Sequence, residues 1–350
     1  MSAARPLAID GRNRRAGGPR PGSTLALLAI LWLATLIAAP LAGSHDLDLG
    51  RAFEPGTTEA TILWQLRLPR VLLALAAGGA LAVAGLAFQT LFRNGLAEPY
   101  TLGVAGGAAL GAVLALHLSS WAAGAVAAGS LPGFTLVAAA SFAGAVAASA
   151  LVVGLALRPG GIETGTLLLA GIAVSFSCSA LILFIQYLSD FTQTYRIVRW
   201  MMGGLAVAGY REVGWVAAWV AAGTALVLAL RWDLNLLLTG EELAASRGVD
   251  LARVRLLVLG AASMMVGALV SVTGPIGFVG LIVPHALRRW AGSDHLVLVP
   301  ACLLGGGVFL ALCDLAARTV MAPAELPVGV LTALLGGPFF LWLLLVRKAR

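Results

Sequence analysis

The polar and apolar positions of this chain are segregated into long blocks rather than alternating. Runs of about 20 uncharged, mostly apolar residues, enough for a helix to cross a hydrocarbon layer roughly 30 Å thick, are separated by short stretches holding charge, proline or glycine. Ten such runs cover approximately residues 24–42, 71–91, 100–118, 134–157, 165–187, 212–230, 252–273, 275–290, 296–317 and 327–346. They predict an all-α polytopic membrane protein with ten transmembrane helices. A basic tail over 1–23 precedes the membrane domain over 24–346, and a short tail over 347–350 follows it. The third and eighth runs are rich in Gly and Pro and are expected to be short or tilted.

Two stretches break this simple pattern. Leu234–Val249, between the sixth and seventh runs, has too little apolar length to span a membrane and carries Glu241, Glu242 and Arg247. It predicts a pair of short amphipathic helices lying on the cytoplasmic face. The first run follows Arg12, Arg14, Arg15 and Arg20 and ends in Ala38-Ala39-Pro40-Leu41-Ala42-Gly43, which could be read as a cleavable secretory signal. With nine further runs and no large soluble domain, a retained signal anchor is the simpler reading.

Composition supports the membrane assignment. Of 350 residues, 60% are hydrophobic and 11% charged, against roughly 25% charged in soluble domains. The mean hydropathy is +0.94. Cys178, Cys302 and Cys313 fall in apolar runs without CxxC spacing and read as small buried hydrophobes. The net charge of +7 reports orientation rather than nucleic-acid binding, because basic residues gather at the ends of apolar runs. With both termini cytoplasmic, 16 of the 23 Lys and Arg residues fall inside, as the positive-inside rule requires. Outside lie Arg51, Arg67, Arg70, Arg196, Arg199, Arg211 and Arg318, and the first outer loop adds Asp46, Asp48, Glu54 and Glu59.

Several chemistries lack their residues. The single lysine, Lys348, has no GxxxxGK[ST] loop before it, so the chain is not expected to be its own ATPase or to be an enzyme. Gly103, Gly107 and Gly111 recur every four residues and follow no strand, which reads as a small-residue packing stripe rather than a dinucleotide site. His45, His117, His285 and His295 show no metal-ligand spacing, and no metal site is assigned. Asp314 and Arg318, four apart, are expected to pair on one helix face near the outer surface. A carrier driven by a proton or sodium gradient is the alternative of a different class. It would call for a carboxylate near mid-membrane.

The motifs are more specific. Arg67-Leu-Pro-Arg70 leads through a small-residue helix to Phe92-Arg93-Asn94-Gly95-Leu96-Ala97-Glu98-Pro99-Tyr100. Later come Leu234–Val249, then Gly274-Pro275-Ile276-Gly277-Phe278-Val279-Gly280 running to Pro284-His285. Ala324-Glu325-Leu326-Pro327 and Gly336-Gly337-Pro338-Phe339-Phe340 close the series. In order and spacing, from about Gln65 to the C-terminus, these blocks resemble the FecCD family, permeases of binding-protein-dependent importers for ferric siderophores, haem and cobalamin.

That resemblance implies a type II ABC importer in a bacterial inner membrane. Two ten-span permeases, either a homodimer or a pair of similar chains, would enclose a central path. Two cytoplasmic ATPase subunits would use ATP and Mg, and a periplasmic or lipid-anchored binding protein would deliver substrate. No cofactor is expected on the permease itself. Gly240, Glu241, Glu242, Arg247 and Gly248 would form the segment that docks into the ATPase, the glycines supplying tight turns. Asn94, Leu96 and Thr164 would form the cytoplasmic gate, although Gly95 stands where the family usually has proline. Arg67, Arg70 and Arg318 match outer-rim positions that meet acidic residues of the binding protein. A path poor in charge suits a bulky chelate handed over intact, with a ferric siderophore the leading expectation and haem or cobalamin the alternatives. Pro275 and Pro284 are expected to bracket a short helix.

Overall fold

One helix organises the molecule: Thr58–Leu91 is a continuous helical run of 34 residues, deeply enclosed by its neighbours. The computed structural model describes residues 21–43, 48, 50–121, 136–158, 161–205, 209–322 and 324–348. The basic tail through residue 20, Asp46, and the beginning of the fourth run at 134–135 lie outside the described residues.

In chain order the helices are α1 (Pro21–Ala38), α2 (Thr58–Thr61), α3 (Leu68–Leu91), α4 (Val104–Trp121), α5 (Leu136–Ala156), α6 (Thr164–Leu188) and α7 (Phe191–Met201). They continue as α8 (Tyr210–Ala229), α9 (Arg231–Thr239), α10 (Glu241–Ser246), α11 (Leu251–Thr273), α12 (Val279–Ala291), α13 (His295–Thr319) and α14 (Val328–Lys348). The ten predicted runs correspond to α1, α3, α4, α5, α6, α8, α11, α12, α13 and α14. Between α5 and α6 a two-residue antiparallel pair, β1 (Leu157–Arg158) with β2 (Gly161–Ile162), closes a hairpin on the cytoplasmic side. The amphipathic α7 lies at the opposite, outer end.

The reason α3 can occupy the centre is its surface. Twenty of its 24 residues are buried, and most are Ala, Gly or Leu, so α8, α11, α12 and α13 approach it closely. In a membrane, where lipid is as apolar as leucine, such small-residue contacts supply the packing that burial from water supplies elsewhere. Gly85 and Gly280 meet backbone to backbone, leaving no room for a Cβ on either. Two glycines of the predicted stripe behave likewise, since Gly107 and Gly111 lie against the backbone of α5. Gly103 instead ends the 3₁₀ turn Pro99–Leu102 before α4 begins.

The eighth run departs from expectation. Its helix starts only at Val279, and Gly274 to Phe278 forms a non-helical break. Pro284 is interior to α12 rather than at its end, so the two prolines do not bracket the helix. The physical reason lies before the helix: Phe278 has φ 68°, and its amide donates to the Glu98 carboxylate at 2.7 Å. A side chain from the α3–α4 linker thus takes a donor that helix would otherwise have used.

Candidate coupling and gating site

The Leu234–Val249 stretch folds as two short helices, α9 and α10, separated by a single residue. Gly240 between them has φ 132° and Gly248 after them has φ 88°, conformations that side chains with a Cβ rarely adopt. Glu242 and Leu243 on α10 and Arg247 just after it are exposed, while Leu234, Leu237 and Ala244 are buried against the body of the protein. One face is therefore anchored and the other left for a partner.

Two polar connections tie this segment to the membrane helices. In the first, the Glu241 carboxylate lies 2.6 Å from a terminal guanidinium nitrogen of Arg255 on α11. Thr164, the first residue of α6, donates to the same Glu241 oxygen at 3.5 Å, the outer limit of a hydrogen bond. Arg255 also donates to the Ile162 carbonyl of the β1–β2 hairpin at 2.6 Å. A single side chain of α10 thereby touches the starts of both α6 and α11. In the second, Asn235 of α9 donates to Asp294 at 2.8 Å and accepts from the His295 amide at 3.1 Å. The His295 ring is buried, with Nδ1 2.6 Å from Asn235 and Nε2 2.9 Å from the Thr90 hydroxyl near the end of α3. This relay joins α9 to α13 and to the central helix.

The turn after α3 is separate from both connections. The Asn94 side chain accepts from the Leu96 amide at 3.0 Å, and the Asn94 carbonyl accepts from Ala97 at 3.1 Å, a side-chain-closed turn of the kind Asn favours. Among the described residues no hydrogen bond joins Asn94 or Leu96 to Thr164. Thr164 belongs instead with Glu241. Four residues after Asn94, Glu98 holds the break before α12.

At the outer end, Arg67, Arg70 and Arg318 do converge, but inwards. Arg70 donates to Asp314 from Nε at 3.0 Å and from a terminal nitrogen at 2.9 Å, and reaches Glu325 at 2.8 Å. The Nε of Arg318 lies 3.1 Å from the other Asp314 oxygen, with its N–H turned out of hydrogen-bond alignment. Arg67 donates to the carbonyls of Pro40 and Leu41, each at 3.3 Å. Side-chain exposures of 13% for Arg70, 5% for Arg318 and 1% for Asp314 place this cluster beneath the surface, not on an open rim. The i,i+4 pair was legible in the sequence; its capture of Arg70 from 244 residues away was not.

A further feature is the bare face of α6. Leu169, Ile172, Phe176, Leu183 and Tyr187 are exposed along one stripe of the helix, and α6 carries no Asp, Glu, His, Lys or Arg.

The model of the FecCD transport family matches residues 27–346. The chain belongs to that family. This FecCD member is 40% identical over 332 residues to the vitamin B12 import system permease protein BtuC of Shigella boydii serotype 18, covering 93% of this chain and 95% of the relative. It is 39% identical, over the same length and shares, to the BtuC of Escherichia coli O9:H4. Among solved structures it is similar to an inward-facing transporter assigned to the metal-chelate ABC type, with TM-score 0.81 and 31% identity over 93% of this chain and 99% of that one. The FecCD chain is thus a permease of a type II ABC importer in a bacterial inner membrane. Its sequence pointed to the α9–α10 pair but not to the contacts of Arg255, Asn235, Asp294, His295 or Thr90, since partners tens to hundreds of residues away leave no local signal.

Proposed function

We propose that this permease conducts an intact metal chelate, with cobalamin the first candidate, and that it works as a dimer with two ATPase subunits and a substrate-binding protein. The 40% identity across 93% of the chain to a permease named for vitamin B12 carries this reading. The ferric siderophore expected from the sequence becomes the second candidate, favoured by the likeness to a metal-chelate transporter. The uncharged stripe on α6 suits either cargo. It offers no thiolate, imidazole or carboxylate to strip the metal, so affinity would reside in the binding protein.

In the proposed cycle the exposed face of α10, with Glu242 and Arg247, rests in the ATPase, and Gly240 and Gly248 set its turns. Glu241 passes its displacement to Arg255 on α11 and to Thr164 at the start of α6, and Asn235 passes it through His295 to α3. Thr164 and the Asn94–Leu96 turn act as the inner gate. At the outer face the binding protein docks above Arg67, Arg70 and Arg318, whose part is to fix the ends of α3 and α13 under the docking surface.

Proteoliposomes holding the permease, its co-purified ATPase and its binding protein test the proposal. They would be offered cobalamin, a ferric siderophore and haem in parallel, with and without ATP. ATP-dependent accumulation of cobalamin is expected. Accumulation of the siderophore or haem instead would reassign the cargo, and uptake that follows an imposed ion gradient without ATP would overturn the proposed cycle.

A further inference from the structure

In the cytoplasmic half of the membrane, where α4, α5, α6 and α11 meet, the helices leave a cavity of about 390 Å³, within the roughly 300–1,000 Å³ of small-ligand sites. Leu102, Val152, Gly154, Leu167, Leu256 and Gly260 are among its lining residues. Leu256 is 52% exposed, so the cavity opens sideways between α5 and α11. Neither Gly154 nor Gly260 has an atom within 4 Å of where a Cβ would stand. The helices therefore stay apart here, unlike the tight glycine contacts of α4 with α5 one to two turns higher. A lining this apolar has no use for water, and an empty slot forfeits the dispersion contacts that hold membrane helices together.

The charge at its mouth identifies the occupant. Arg253 is three residues before Leu256 and seven before Gly260, on the same face of α11 and at its cytoplasmic end. It is exposed and forms no ion pair among the described residues, whereas Arg255, two residues on, is held by Glu241 and Ile162. An apolar slot at acyl-chain depth with an uncommitted guanidinium at headgroup depth matches an anionic phospholipid. A second copy of this chain is the competing occupant, and the test below separates the two.

We propose that this cavity holds one acyl chain of an anionic phospholipid from the inner leaflet, with Arg253 on its phosphate. The chain contacts Leu167, one turn after Thr164, and Leu256, next to Arg255. The lipid therefore wedges apart the beginnings of α6 and α11, the two helices that Glu241 joins. This site stands on the membrane orientation alone and does not depend on the cargo.

The test uses the full-length permease in nanodiscs doped with phosphatidylglycerol or phosphatidylcholine carrying a diazirine in the acyl chain. After irradiation, labelled peptides are mapped. The expected result is labelling of the α5 and α11 lining above that of the exposed face of α1, with phosphatidylglycerol favoured. Gly260→Leu and Gly154→Leu, which fill the slot, abolish the excess. Arg253→Gln, a surface change that leaves the slot open, lowers phosphatidylglycerol labelling about fivefold, towards the phosphatidylcholine level. Lining signal no greater than on α1, or phosphatidylglycerol labelling indifferent to Gly260→Leu and Arg253→Gln, overturns the proposal. So does disulfide capture between Leu155→Cys of one copy and Leu256→Cys of another, which would show a second copy covering the cavity.

Discussion

Arg70 and Asp314 form a forked ion pair that fastens the first turn of α3 to the last turns of α13. Asp314 is at once the partner of Arg318, so one carboxylate compensates two guanidinium groups in a space almost closed to solvent.

Asp314→Ala is accordingly expected to destabilise the permease by about 3–5 kcal/mol, the cost of leaving buried charge unpaired. Glu325→Gln, on the 42% exposed arm of the same cluster, should cost no more than about 1 kcal/mol. Thermal unfolding in detergent would show both, and equal losses would refute the ranking.

Glu241→Gln should separate stability from transport. The carboxylate is 39% exposed, and losing such a pair changes stability by about 1 kcal/mol or less. ATP-driven uptake in proteoliposomes should nonetheless fall while the partner's ATP hydrolysis persists. Unaltered uptake per ATP would remove Glu241 from the transmission route.

Gly95→Pro should be tolerated and stabilise by about 0.4–1 kcal/mol through the unfolded chain. Nothing lies within 4 Å of a Cβ there, the backbone is not in the left-handed region, and the Gly95 amide makes no hydrogen bond among the described residues. A lowered melting temperature would show that the glycine is required.

The cytoplasmic cap of α13 should respond to acid. Hydrogen bonds from Asn235 and the Leu296 amide hold the Asp294 carboxyl below its ordinary value of 3.8. A depressed folded pKa contributes stability that is complete above the unfolded value and is lost as pH falls through the folded one. Asp294→Asn should therefore flatten the acid side of the melting-temperature profile below about pH 4 and leave its shape near neutrality unchanged. A profile that keeps the wild-type slope would rule the group out.

How much of this was legible in the chain depended on distance along it. The spans, the α9–α10 pair and the Asp314–Arg318 spacing are local patterns with periods the sequence displays. Glu98 reaching Phe278, Thr90 meeting His295 and Arg255 holding Glu241 and the hairpin depend on which helices become neighbours. The inward turn of the outer arginines was hidden for a related reason. Their positions at helix ends fit a rim, but Arg67 is the last residue of a π-helical turn, Ile62–Arg67, and its guanidinium reaches the Pro40 and Leu41 carbonyls, contacts that no local pattern announces.

The enclosure of α3 also bears on how the protein is made. This second span is synthesised early, yet most of the helices that cover it, α8, α11, α12 and α13, come from the later half of the chain. Until they emerge, its alanines and glycines face lipid with little to hold them in place. Insertion and packing are therefore distinct stages of biogenesis, and a truncated chain ending before α11 would leave its own central post standing at the periphery.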